Sequence, residues 1–425
     1  MNLRLLSTKI YPKSCMDSID VKRKCIVLQD NKTLPIIQGR GIAMNVYMDY
    51  QATTPCDERV VAEMLPYFSE KFGNPHSGHA MGLQASEAVE VARDRIAKLV
   101  HANDPREIIF TSGATESNNL AIKGAVHYYK SDRKKIITST IEHKCVLETC
   151  RSLESEGYEV VFAPVLSNGI VDMDFLKKEI DDNTILVSIM TVNNEIGTIQ
   201  PIKEISQLCR EHDVLFHTDA AQAVGKIEVD VADVDLMSIS GHKIYGPKGI
   251  GALYVRIKPR IRLIPLFSGG GQERGVRSGT LPVPLCVGLG RACEIAKGEM
   301  SQEAQRLIKM KNYFIDKMLS RLEKVYLNGD RERRIPGCLN FSFEGVEGES
   351  IMLGMPDVCV SSGSACTSMS LEPSYVLKAI SVREDLAHCS LRIGLGRFTT
   401  FDEVEYVSDK IIEVVTRLRS MSPLW

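Results

Sequence analysis

From Val46 onward the apolar and polar positions follow two alternating periods. Residues 57–71 and 79–100 carry the helical one. In the second stretch Ala85, Val89, Ala92, Ile96 and Leu99 recur along one face. Short apolar, β-branched runs follow: EIIF (107–110), KIITST (135–140), TILVSIM (184–190), VLFHTD (214–219), DLMSIS (235–240) and GIGALYV (249–255). Each of the first four leads into a helix-like segment. Strands alternating with helices predict an α/β fold with a mostly parallel sheet flanked by helices and right-handed crossovers. After about residue 290 a long helical pattern opens a smaller α+β region. The expected organisation is an N-terminal extension over 1–44, a large domain over 45–290 and a small domain over 291–425. The small domain carries a cysteine loop at about 360–370.

Composition narrows this picture. With 44% hydrophobic and 25% charged residues, the 425-residue chain is neither disordered nor fibrous. No stretch reaches the roughly 18 uncharged apolar residues of a membrane helix, so no membrane span is expected. A net charge of −2 argues against a general grip on nucleic acid. Residues 1–44 differ from the rest, with eight Lys/Arg against three Asp. The first sixteen contain Arg4, Lys9 and Lys13 and no acid, and Leu3, Leu6 and Ile10 fall on one helical face. This pattern suits a mitochondrial-type transit peptide; a plain tail is the alternative. Twelve cysteines are scattered without a Cys-x-x-Cys, so neither a metal site nor a disulfide framework is indicated.

In open α/β sheets ligands bind beyond the carboxyl ends of the strands, and the chemically informative residues follow the apolar runs. Ser112-Gly113-Ala114-Thr115-Glu116 joins a strand to a helix, where small residues and free amides suit a phosphate. A capped turn looks the same. Asp219 ends the run 214–219 and can hold a positive charge; a helix N-cap is the bland reading. Lys243 follows DLMSIS within Ser240-Gly241-His242-Lys243, where exclusion of water turns a lysine into a nucleophile. An isolated lysine would be a surface residue. The three together match the needs of pyridoxal phosphate: a cradle for the phosphate, a carboxylate for the ring nitrogen and a lysine for the imine. His143, after KIITST, suits stacking on the ring or proton relay. Cys366 sits among Ser361, Ser362, Gly363, Ser364 and Thr367, surroundings wrong for burial and right for an accessible thiol. Arg392 offers a two-pronged clamp for a carboxylate; a salt bridge is its bland alternative.

The segments SGATESNN, IEHK, VNNEIG, TDAAQAVGK, SGHKIYGPKGIGA, GGGQERGVRSGT, SSGSACTS, SLEPSYVLKA and GRFTT, in this order, resemble the cysteine desulfurases of the IscS type. YMDYQATTP, TDAAQAVGK and GGGQERG resemble the mitochondrial form in particular. The likeness runs from about Val46 to Trp425. It implies a homodimer with the type I, aspartate-aminotransferase-like fold and pyridoxal 5'-phosphate as cofactor. Lys243 is then the imine-forming lysine, Asp219 meets the ring nitrogen, and Gln222 bonds the phenolic oxygen. His143 stacks on the ring, while Ala114, Thr115, Ser240 and His242 hold the phosphate. Thr280 matches a threonine that reaches the phosphate of the neighbouring subunit. Asn194 and Arg392 orient and clamp the L-cysteine substrate. Cys366 becomes the persulfide, and L-alanine leaves.

The resemblance further implies sulfur delivery to iron–sulfur cluster assembly and tRNA thiolation. The expected partners are a scaffold protein, a frataxin-like protein and small helical accessory subunits. No resident metal is expected; Cys366 meets a cluster only transiently with a scaffold. The family's long form continues past SPLW whereas this sequence ends at Trp425, so the expected scaffold contact is absent, weaker or made by other surfaces. Gly354 and Pro356 in LGMPD depart from the family pattern and predict a shortened helix before the cysteine loop. Two other readings compete: a lyase or aminotransferase on the same fold, which has no use for Cys366, and a non-catalytic assembly subunit, which has no use for Lys243.

Overall fold

The computed structural model describes residues 45–130, 133–362 and 372–421. Among these, twelve strands are formed: β1 Val46–Tyr47, β2 Ile108–Thr111, β3 Lys135–Ser139, β4 Glu159–Ala163, β5 Thr184–Ser188, β6 Leu215–Asp219, β7 Leu236–Ser240, β8 Gly251–Val255, β9 Val325–Leu327, β10 Cys338–Phe343, β11 Val358–Cys359 and β12 Ser390–Gly394. The main sheet has the order β2-β8-β7-β6-β5-β3-β4. β4, β3, β5, β6 and β7 run parallel. β3, β5 and β7 are buried along their whole length, so they read in sequence as continuous apolar runs rather than alternations. β4 lies at the sheet edge and is mostly half-exposed, which is why EVVFA does not stand out.

β8 is antiparallel to both its neighbours, β2 and β7. Only residues 241–250 join β7 to β8, too few for the crossover helix that a parallel pairing requires. The GIGALYV run is therefore a strand of the sheet but not a further parallel one.

The helix Ala80–Leu99 matches its predicted bounds closely; residues 57–71 instead form Glu58–Met64 and Pro66–Ser69, with Pro66 opening the second. A 39-residue helix, Val283–Arg321, runs without interruption across residue 290. Its first half packs in a large core with Phe110, Val187, Phe216 and Ile239. Gly290 lets it approach the helix Ala80–Leu99 closely, since a Cβ there would lie 2.5 Å from the Ala92 Cα. Its second half packs in a separate core with Phe341, Phe343, Leu391 and Val407. That core is backed by the antiparallel sheet β12-β10-β9 and by the helix Phe401–Met421. Met48 also joins it, and β1 pairs with β11, so the start of the described chain packs with its C-terminal part. Gly348–Leu353 is a six-residue helix that stops at Gly354. No helix among the described residues is long and apolar enough to cross a membrane.

Candidate active site

The carboxyl ends of β3, β5, β6 and β7 face one cavity of about 570 Å3. Ten of the residues singled out in the sequence line it: Ala114, Thr115, His143, Asn194, Asp219, Gln222, Ser240, His242, Lys243 and Arg392. Thr280 does not line it and is exposed. Cys366 lies outside the described residues.

β6 delivers Asp219 buried at its last position. Its Oδ2 accepts from Asn118 Nδ2 at 2.7 Å and its Oδ1 from the Ala221 N–H at 2.9 Å. Two fixed donors define where the carboxylate points, and a cationic ring nitrogen is the complement it lacks. Beside it, the strand-to-helix turn after β2 reaches Gly113 at φ +151°, a region that side chains rarely enter. Gly113 caps the 15-residue helix Ala114–Tyr128 without a side-chain bond. The helix N-terminus thus faces the cavity with amide donors and the positive end of its dipole, which suits a phosphate.

Lys243 sits in the turn Gly241–Lys243 directly after β7. Its Nζ donates to the Gln51 carbonyl at 2.5 Å and the Ala52 carbonyl at 2.8 Å. Burial first, then the nearby Lys226 and Arg392, pushes its ammonium down to about 7. An amine that sheds its proton near neutrality is a competent nucleophile and base. His242 Nδ1 lies 3.0 Å from Thr53 Oγ1, and burial together with Lys243 lowers its imidazole to about 4. His143 caps the helix Lys144–Glu154, its Nδ1 accepting from the Cys145 N–H. Burial lowers its pKa and Asp219 opposes that shift. A neutral imidazole with Nδ1 engaged carries its proton on Nε2.

Arg392 is buried on β12; Nη1 donates to the Asn194 carbonyl at 3.1 Å and Nη2 to Asp49 Oδ1 at 2.7 Å. Its Nε and the Asn194 Oδ1 are buried without a partner among the described residues. Both residues line the cavity, so a polar ligand there has a guanidinium and an amide beside it. Sequence reasoning assigned no role to Asp49, Gln51, Thr53 or Cys145. The first three belong to YMDYQATTP, a segment recognisable as a pattern but with no chemistry of its own. They matter because the chain folds back over the Lys243 turn, with Thr54 N–H and Oγ1 both donating to the His242 carbonyl.

These residues fit pyridoxal phosphate: an amine, a carboxylate two fixed donors orient, and a helix N-terminus converge on one cavity of suitable chemistry. The chain belongs to the class-V aminotransferases, whose family model matches residues 46–407, and pyridoxal phosphate is the cofactor of that family. Among relatives it is similar to "Cysteine desulfurase IscS" of Rickettsia africae (strain ESF-5), 58% identical over 391 residues, 91% of this chain and 95% of the relative. Among solved structures it resembles a "NifS-like protein" at 38% identity and a TM-score of 0.82, over 88% of this chain and all of that one (100%). It also resembles "SspA in complex with cysteine" at 40% identity and a TM-score of 0.75, over 84% of this chain and 100% of the other.

Proposed function

We infer that this chain is a cysteine desulfurase. It takes sulfur from L-cysteine, releases L-alanine and leaves a persulfide on Cys366. Lys243 carries the reading: a buried amine with a pKa near 7 shares a cavity with a fixed carboxylate and a helix N-terminus that has no side-chain cap. Pyridoxal phosphate supplies the electron sink that labilises the bonds of the bound amino acid. Asp219 holds a proton at the ring nitrogen and so maintains that sink. Ala114 and Thr115 at the helix N-terminus, with Ser240 and His242, take the phosphate. Lys243 accepts and returns the α-proton, with His143 beside it as relay. Arg392 and Asn194 bind the substrate carboxylate, for which Arg392 exchanges its bond to Asp49. The Cys366 thiolate forms the new S–S bond as the substrate C–S bond breaks, and a proton replaces sulfur on carbon to give alanine.

The finer reading is that the protein works in a mitochondrion or a mitochondrion-derived organelle, with the cytoplasm as the alternative. The basic, acid-poor first sixteen residues support it. It acts as a homodimer and passes sulfur to an iron–sulfur scaffold, assisted by frataxin-like and small helical subunits.

The test is direct. Purified protein with pyridoxal phosphate, L-cysteine and a reductant is assayed for alanine and sulfide beside Cys366→Ser. Equal amounts of both products from the wild type, and neither from the variant, are expected. Full activity in the variant would remove Cys366 from the reaction and return the chain to a lyase on the same fold.

A further inference from the structure

Gln222 reaches the main cavity with an amide, and an amide has two chemically opposite ends. Which end faces a ligand depends on what holds the other. Here Lys226 Nζ donates to Gln222 Oε1 at 2.8 Å, and Gln222 Nε2 donates to the Gln51 carbonyl at 2.9 Å. With its oxygen taken by an ammonium, the amide can present only its remaining N–H to the cavity. Lys226 does this from behind: it lines a separate cavity of about 20 Å3 with Gln51, Tyr245 and Glu303, not the main one.

The placement of this cation is unusual. Among the described residues no carboxylate lies within ion-pair distance of it, and the nearby Glu303 is instead engaged by Arg397 at 3.0 Å. Burial pulls Lys226 down to about 8, against the opposing influence of Cys338 and Glu303 and with a further lowering from Arg392. A half-buried ammonium with no carboxylate partner among the described residues costs stability, which a surface role would not require.

We propose that Lys226 is a positioning residue for the cofactor, locking the Gln222 carboxamide with its NH2 group toward the main cavity. This rests on the reading of Lys243 and Gln222 as cofactor ligands. The N–H so presented stabilises an anionic oxygen, which is what the phenolic oxygen of the bound cofactor offers. Lys226 also acts on Lys243 through its charge, and the test must separate the two effects. The other charged or titratable groups facing Lys243 include Arg392, Asp49, Asp219, His143 and His242, and all of them are the same in every variant compared.

The experiment titrates the visible absorbance of the cofactor-loaded protein against pH, reading the midpoint at which the Lys243–cofactor linkage loses its proton. Lys226→Met removes donor and charge together. Both losses favour the protonated form, so the midpoint should rise by about one pH unit, a tenfold change in proton affinity. In a Gln222→Ala background the same substitution should shift it less, since only the charge effect remains. Lys226→Arg, which keeps charge and donors, should restore the wild-type midpoint. Equal shifts in both backgrounds, or no shift in either, would overturn the proposal. Lys226→Ala is read in the same way should Lys226→Met not fold. A wild type that shows no cofactor absorbance at all would instead overturn the reading of Lys243.

Discussion

Glu142 shows how a single residue can be legible in name and opaque in role. The sequence places it next to His143 at a strand end, yet nothing in the sequence says that its carboxyl is fully buried. Ser139 Oγ at 2.6 Å and the Met190 N–H at 2.9 Å both donate to Oε1, while Oε2 has no partner among the described residues. Oε1 is thus the carbonyl-like oxygen and Oε2 the place for a proton. Burial raises the group to about 8, opposed by those two hydrogen bonds. In the unfolded chain the same group titrates near 4.3. Between these values the unfolded state binds fewer protons, so folding stability falls as pH rises from about 4.3 to about 8 and the cost is constant above. Glu142→Gln keeps the oxygen that accepts from Ser139 and Met190 and cannot ionise. Its melting temperature relative to wild type should therefore climb by several degrees between roughly pH 5 and pH 9. A difference that does not change with pH, followed by thermal unfolding, would mean that Glu142 is ionised in the folded protein. Lys243 and Asp219 were easier to read because strand-end position and residue type already state their chemistry, and Arg392 because its residue type does. Lys226 and Asp49 were not, because their roles depend on partners 4 and 343 positions away.

At the scale of elements, most of the parallel strands and most of the helices were visible because uniform apolar runs and helical spacing survive in one dimension. The edge strand β4 and the reversed direction of β8 were not: exposure blurs the first, and the second follows from loop length rather than from pattern. The turn between β2 and the helix Ala114–Tyr128 combines both kinds of information. The sequence marks it as small and polar, but only the backbone shows that Gly113 holds φ +151°. A Cβ at Gly113 would meet nothing within 4 Å, so a substitution acts through backbone conformation and not through collision. Gly113→Ala should cost about 1–3 kcal/mol of backbone strain. Relief of that strain would tilt the first helical amides away from the cavity. The expected outcome is an approximately tenfold or greater rise in the dissociation constant for pyridoxal phosphate, with the melting temperature of the cofactor-free protein lowered by a few degrees. Titration of the cofactor-free variant by absorbance checks this. An unchanged affinity would show that the phosphate does not use this helix.

For the whole molecule the open question is whether one chain holds a complete site. Thr280 is where the resemblance and the geometry of a single chain pull apart: it belongs to a recognisable motif, yet it is exposed and lies off the cavity. Both facts hold together if Thr280 serves the phosphate of a second copy. Exposed Leu65, Phe68 and Phe72 provide apolar surface of the kind that a second copy would bury. A hybrid of two defective parents decides the matter. One parent is Lys243→Ala, which cannot bond the cofactor; the other is Thr280→Ala, weakened at the phosphate. If Thr280 acts across the dimer, the hybrid contains one site with both defects and one with neither. Mixed protomers carrying different affinity tags, purified as the hybrid, should then bind cofactor at half the wild-type stoichiometry and with wild-type affinity. If Thr280 acts within its own chain, every site in the hybrid retains one defect and the wild-type affinity never returns. A protein that stays monomeric throughout would remove both the dimer and the shared site.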